Sequence, residues 1–147
     1  MIIGFSFNKI SAQRKEIPNK SININNNVQI KDIDKEELKY KKGKEAGIKV
    51  LFEFKSSYES ESGKNDIGEI VLEGELIDAE EQKIADEAVK QWKKDKKIDP
   101  SIIKPVMDAI LARCNIEAIV VSREISLPPP LPMPRVADKA QGQQYIG

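Results

Sequence analysis

Apolar and polar positions alternate with a period of two through the first half of the chain, then recur at helical spacing through the second. Ile3, Phe5 and Phe7 share one face, with Gly4, Ser6 and Asn8 on the other, and Pro18-Asn19 ends this segment. Ile22 and Ile24 begin a second run, Asn25-Asn26-Asn27 interrupts it, and Val28 and Ile30 resume it. The stretch 34–45 carries Lys39, Lys41, Lys42 and Lys44 around Gly43 and reads as an exposed charged connection. Ile48, Val50, Phe52 and Phe54 then form one apolar strand face. After a turn-rich connector at 60–66, Ile70, Leu72 and Leu76 form another, with Glu69, Glu73 and Glu75 opposite. Such a pair is an antiparallel hairpin with one buried and one wetter face.

At Asp78 the period changes. Asp78-Ala79-Glu80-Glu81 has the form of a capping box, with Asp78 as N-cap of a helix running towards Lys97. Ala85, Ala88, Val89 and Trp92 mark its buried side, and Lys93 and Lys94 suit its negative end. Asp99-Pro100 starts a second, longer helix, with Asp99 as N-cap and Pro100 at the first helical position. Ile103, Val106, Met107, Ile110, Cys114, Ala118 and Val121 form its stripe. Ile102, Ala109, Leu111, Ile116 and Ile119 fall outside that stripe, so this helix is expected to meet a second surface as well. Five prolines follow within residues 127–134, a polyproline segment expected to display Leu127, Leu131 and Met133. The small, polar stretch 137–147 is expected to be a disordered tail, leaving 1–136 as one α+β domain.

Composition narrows the chemistry. The chain has no histidine and one cysteine, which removes imidazole catalysis and any internal Cys/His zinc site. Cys114 lies mid-helix in an apolar pattern and is expected to be a buried hydrophobe. Glu53 or Glu73 with Lys49 or Lys55 would be the remaining material for an enzyme, without a phosphate loop or metal motif around them. The chain is therefore expected not to be an enzyme and to need no cofactor. Twenty-four cationic side chains balance twenty-four carboxylates, which disfavours a nucleic-acid partner. No apolar run is long enough for a signal peptide or a membrane span, so a cytoplasmic location is expected.

The order of segments resembles the SecB family of protein-export chaperones. The likeness is carried by residues 7–18 (FNKISAQRKEIP), by the extended strand at 48–58 and by residues 99–136. Within the last, DPSIIKPVMDAILARC is similar to the family's Cys/Asp-Pro-x-Ile-Leu-x-Pro helix start, and SREISLPPPLPMP to its Leu-Pro-rich continuation. The resemblance implies an antiparallel four-stranded sheet, a long C-terminal helix across it and a shorter helix before that. It also implies a holdase that binds unfolded polypeptides or preproteins in apolar grooves and assembles as a homodimer or homotetramer. Leu127, Leu131, Met133, Ile110 and Leu111 are the candidate client contacts. The competing expectation is an adaptor that offers residues 127–134 as a ligand to an aromatic-lined groove of a specific partner.

Overall fold

A computed structural model describes residues 1–19, 21–39 and 43–131. Four strands and two helices follow one another: β1 (Ile2–Arg14), β2 (Ile22–Glu36), β3 (Glu45–Ser60), β4 (Asp66–Glu81), α1 (Gln82–Asp95) and α2 (Pro100–Glu124). The strands make one antiparallel sheet in the order β1-β4-β3-β2. Strands β2, β3 and β4 are joined as hairpins, and β1 lies beside β4 at the far edge. The connection from β1 to β2 must therefore cross the end of the sheet, about three strand spacings or ~14 Å. It is held on the way by the Lys15 and Glu16 amides, both donating to the Ile67 carbonyl, and by a Lys15–Asp66 ion pair.

Alternation explains which face is covered. Ile48, Val50, Phe52, Phe54 and Tyr58 of β3 and Ile70, Leu72 and Leu76 of β4 are all buried, one residue in two along each strand. Both helices lie on that side, burying Ala85, Ala88, Val89 and Trp92 of α1 and Val106, Ile110, Cys114 and Ala118 of α2. The other face carries Lys49, Glu53, Lys55, Glu69 and Glu75, tied by Lys49–Glu75 (3.7 Å), Lys55–Glu69 (3.5 Å) and Lys31–Glu53 (3.5 Å). These are partly exposed pairs and add little stability each. The Glu row expected on the wetter face is thus a solvated ion-paired surface.

Three sequence expectations are corrected. Asn25, Asn26 and Asn27 do not interrupt β2; they pair with Ser57, Ser56 and Lys55. Asn26 keeps the parity of Ile24 and Val28, and the Ser56 hydroxyl donates to its side-chain oxygen (2.6 Å). Asp34, Lys35 and Glu36 belong to β2 rather than to the charged connection, because a bulge between Ile30 and Asp32 shifts the phase and puts Ile33 into the core. Asp78 does not cap a helix. Backbone pairing with β3 continues through Glu81, opposite Glu45, and this outcompetes a cap three residues earlier. Helix α1 starts at Gln82, and Glu81 makes no side-chain cap bond.

The second helix starts as its sequence requires. The Asp99 carboxylate accepts from the Ser101 amide (2.9 Å) and hydroxyl (2.8 Å), and these bonds hold it below the usual carboxylate range. Pro105 lies inside the helix, where its missing N–H leaves the Ser101 carbonyl without a helical donor. The 119–121 stretch, apolar and β-branched enough to read as strand, is helical.

Candidate functional site

Helix α1 ends where Lys96 adopts a left-handed backbone (φ 61°, ψ 29°), its amide donating to the Trp92 carbonyl at 2.9 Å. This sharp turn and the Asp99 cap bring the end of α1 beside the start of α2. Between them and strand β2 lies a groove of about 670 Å³, floored by Ile30, Trp92, Ile98 and Ile103 and rimmed by Lys96 and Lys97. Trp92 is seated by its indole N–H, which donates to Asp32 (3.2 Å), so the ring presents its hydrocarbon body to the groove. The Lys96 ammonium stands 5.1 Å from the ring centroid. Among the described residues no strand pairs with the outer edge of β2. Its free N–H and C=O groups border an apolar trough, an arrangement that accepts an extended chain: main-chain groups pair at the edge and side chains enter the trough.

The Leu/Pro segment takes a different place from the one its composition implied. On leaving α2, the chain crosses the helix-covered face of the sheet one strand at a time. The Arg14 guanidinium of β1 donates to the Ile125 carbonyl (2.8 Å). Leu127 packs on Gly68 of β4, with its Cδ1 3.3 Å from where a β-carbon would stand. The Tyr58 hydroxyl of β3 donates to the Pro128 carbonyl (2.7 Å), and the Asn26 amide of β2 to the Pro130 carbonyl (2.8 Å). Leu127 donates its own amide to the Ser122 carbonyl (2.9 Å); the prolines after it have no N–H to satisfy and offer carbonyls alone, which suits them, as a strap, to accept from the sheet's side chains. Burial under this strap pushes the Tyr58 hydroxyl up to about 12.

The candidate contacts are therefore divided. Leu127 is 5% exposed and Ile110 fully buried, so neither is offered to solvent: the strap folds inward over Gly68, and Ile110 faces the sheet. Leu131 is half-buried at the end of the strap, and Leu111 is 36% exposed on the outer side of α2. Met133 and the expected tail at 137–147 lie outside the described residues. An adaptor ligand needs a free segment, and the docking of residues 127–130 takes support from that reading. Sequence reasoning passed over the Ile30–Trp92–Ile103 groove. Its signal was the four-residue spacing between α1 and α2, too short to let the two helices separate. It also passed over Val120 (41% exposed), which with Ile116 (64%) leaves an apolar flank on α2. Arg113 of that helix stacks on Phe5 of β1, 4.6 Å from the ring. Cys114 is buried, which pushes its thiol up to about 12 and keeps it from being a nucleophile.

Compared by sequence, the chain matches no protein-family model and no curated protein. Compared by fold, it is similar to the SecB-like chaperone Rv1957 of Mycobacterium tuberculosis, solved in complex with a ChAD peptide from the HigA1 antitoxin Rv1956. The TM-score is 0.61 at 10% identity, over 94% of this chain and 91% of that one. The α+β fold of a four-stranded antiparallel sheet followed by two helices is thus shared with a SecB-like chaperone.

Proposed function

We propose that the chain is a holdase-type chaperone that binds unfolded or non-native polypeptide segments and performs no catalysis. The observation that carries this reading is the groove: an apolar trough floored by Ile30, Trp92, Ile98 and Ile103 beside the open edge of β2. Side chains of an extended segment would be desolvated in the trough while its backbone pairs with the edge strand, which demands little of the client's sequence. Leu111 and Leu131 are proposed as outlying contacts. The fold shared with a SecB-like chaperone that was solved with a peptide supports the same reading. Self-association into a homodimer or homotetramer belongs to it, because the Ile116–Val120 flank of α2 is an apolar surface of the kind that subunits cover.

The test is suppression of aggregation of a chemically unfolded client at near-stoichiometric protein, without nucleotide. The wild-type chain is expected to suppress it. Ile103→Asp, which puts a charge on the groove floor, is expected to lose at least about fivefold in potency while keeping its circular dichroism spectrum. A monomeric protein that leaves aggregation unchanged would falsify the proposal.

A further inference from the structure

We infer that the seat of the strap is a second polypeptide site. It takes extended Leu-x-x-Pro segments in the polyproline II form, and the chain's own residues 127–130 fill it as a built-in competitor. The inference extends the reading of the chain as a binder of non-native polypeptide. Its site has no lining residue in common with the Ile30–Trp92–Ile103 groove.

The conformation of the strap follows from its sequence. Pro128, Pro129 and Pro130 each fix φ at about −65°, and a residue before proline is pushed into extended backbone. Together these dictate a polyproline II helix, which repeats every third residue. Burial has that period: Leu127 and Pro130 are buried, Pro128 is half-buried and Pro129 is exposed. Three residues advance such a helix by about 9 Å. Two strand spacings, from β4 to β2, are also about 9–10 Å. Leu127 therefore rests over Gly68 of β4 and Pro130 beside Asn26 of β2, while the Tyr58 hydroxyl of β3 meets the Pro128 carbonyl between them.

None of these contacts reads a feature peculiar to the strap. Tyr58 and Asn26 donate to main-chain carbonyls, which every polypeptide carries, and the space over Gly68 takes an apolar side chain. The Asn26 side chain is steadied by the Ser56 hydroxyl (2.6 Å), a bond the strap does not supply. Polyproline II is a major conformer of unfolded chains, so the seat fits a backbone shape that a non-native client already populates. The root of the strap is fixed to α2, because Ser126 turns off the helix through a left-handed backbone (φ 58°) and the Leu127 amide closes on the Ser122 carbonyl. Among the described residues, two hydrogen bonds tie 128–130 to the sheet beyond that root. A strap so rooted stays tethered when it leaves the seat, and a tethered competitor acts at an effective concentration on the order of millimolar. The apparent affinity for an incoming segment is the affinity of the empty seat multiplied by the open fraction.

The probe is a fluorescein-labelled peptide of residues 125–134 (ISLPPPLPMP), titrated with the full chain and followed by anisotropy. Leu127→Ala and Pro130→Ala each loosen the strap and leave its seat intact. Both are expected to bind the peptide about tenfold tighter than the wild-type chain does. Pro130→Ala, which keeps the Leu127 contact, carries the test if the first variant does not fold. Adding Tyr58→Phe to either should weaken binding roughly fivefold, and a peptide with Asp at the place of Leu127 should not bind. Unchanged affinity in a strap variant with the wild-type circular dichroism spectrum would overturn the seat and leave the groove, tested through Ile103→Asp, standing. Binding that Ile103→Asp abolishes and Tyr58→Phe leaves alone would put the peptide in the groove and overturn the second site. A fall in the mass of the wild-type oligomer on adding peptide would assign the seated strap to a neighbouring copy and overturn the competitor in cis. A chain that binds the peptide on loosening of the strap yet fails to suppress aggregation would keep the seat and lose the holdase reading.

Discussion

Gly74 shows how much one missing side chain decides. It sits on the helix-covered face between Phe7 of β1 and Phe52 of β3, its partners in register. A β-carbon there would run into the Ser6 carbonyl oxygen and lie 2.7 Å from the Phe52 ring. The empty place lets Phe52 settle across the strand against Phe5, 5.2 Å away, and Phe7, 6.3 Å away. Gly74→Ala is expected to cost about 2–4 kcal/mol in urea unfolding. Tyr58 makes a second prediction at this scale. The unfolded chain releases the phenol proton near its ordinary value of 10, whereas the fold holds it up to about 12. Stability from the neutral phenol is intact below pH 10 and falls progressively between pH 10 and about 12. The loss is on the order of 1–3 kcal/mol. Tyr58→Phe, which gives up the bond to Pro128, should be about 1 kcal/mol weaker at pH 8 and should lose stability less steeply over that alkaline range.

At the scale of elements, the parts that the sequence showed best are those with one unbroken period. Strands β3 and β4 are central, each paired on both sides, so every second residue is forced into the core and alternation is plain. The Asp99-Pro100 start of α2 was equally legible, because capping is a local event. Edge strand β2 was not, since its bulge after Ile30 breaks the parity that periodicity relies on, and three asparagines mimic a loop. The start of α1 was misread because a capping box and a strand compete for the same residues, and only the partner strand decides. The groove was hidden for the same reason: Ile30 and Ile103 are 73 positions apart, and no local pattern joins them. The strap is where composition misled most, since prolines advertise display while Gly68 makes room for burial. Leu127→Ala is accordingly expected to cost about 2–3 kcal/mol and Leu111→Ala less than 1, measured by chemical unfolding. Equal small effects would return Leu127 to the surface.

The whole molecule is lopsided. One side of its sheet is covered by both helices and the strap, and the other carries paired charges. The apolar surface left over gathers on the outer side of α2, at Ile116 and Val120, and along β1 at Ile3 and Ile10, each 50% exposed. Light scattering is expected to give twice or four times the chain mass, and Ile116→Glu to shift that mass towards the monomer. An unchanged mass would place the contact elsewhere.

The strap also sets an order of events. Its three hydrogen bonds join residues 111, 104 and 70 positions apart, each closing a long loop of chain. Loops of that length are entropically slow to close, and none of the three bonds can form until the strands supplying its donors are aligned. Assembly is therefore expected to run from the hairpins outward, with all three strap bonds made together once the strands carrying their donors are in register. The strap's seating is a late check on the sheet: an unpaired edge strand or a slipped register would leave Arg14, Tyr58 or Asn26 out of reach of its carbonyl.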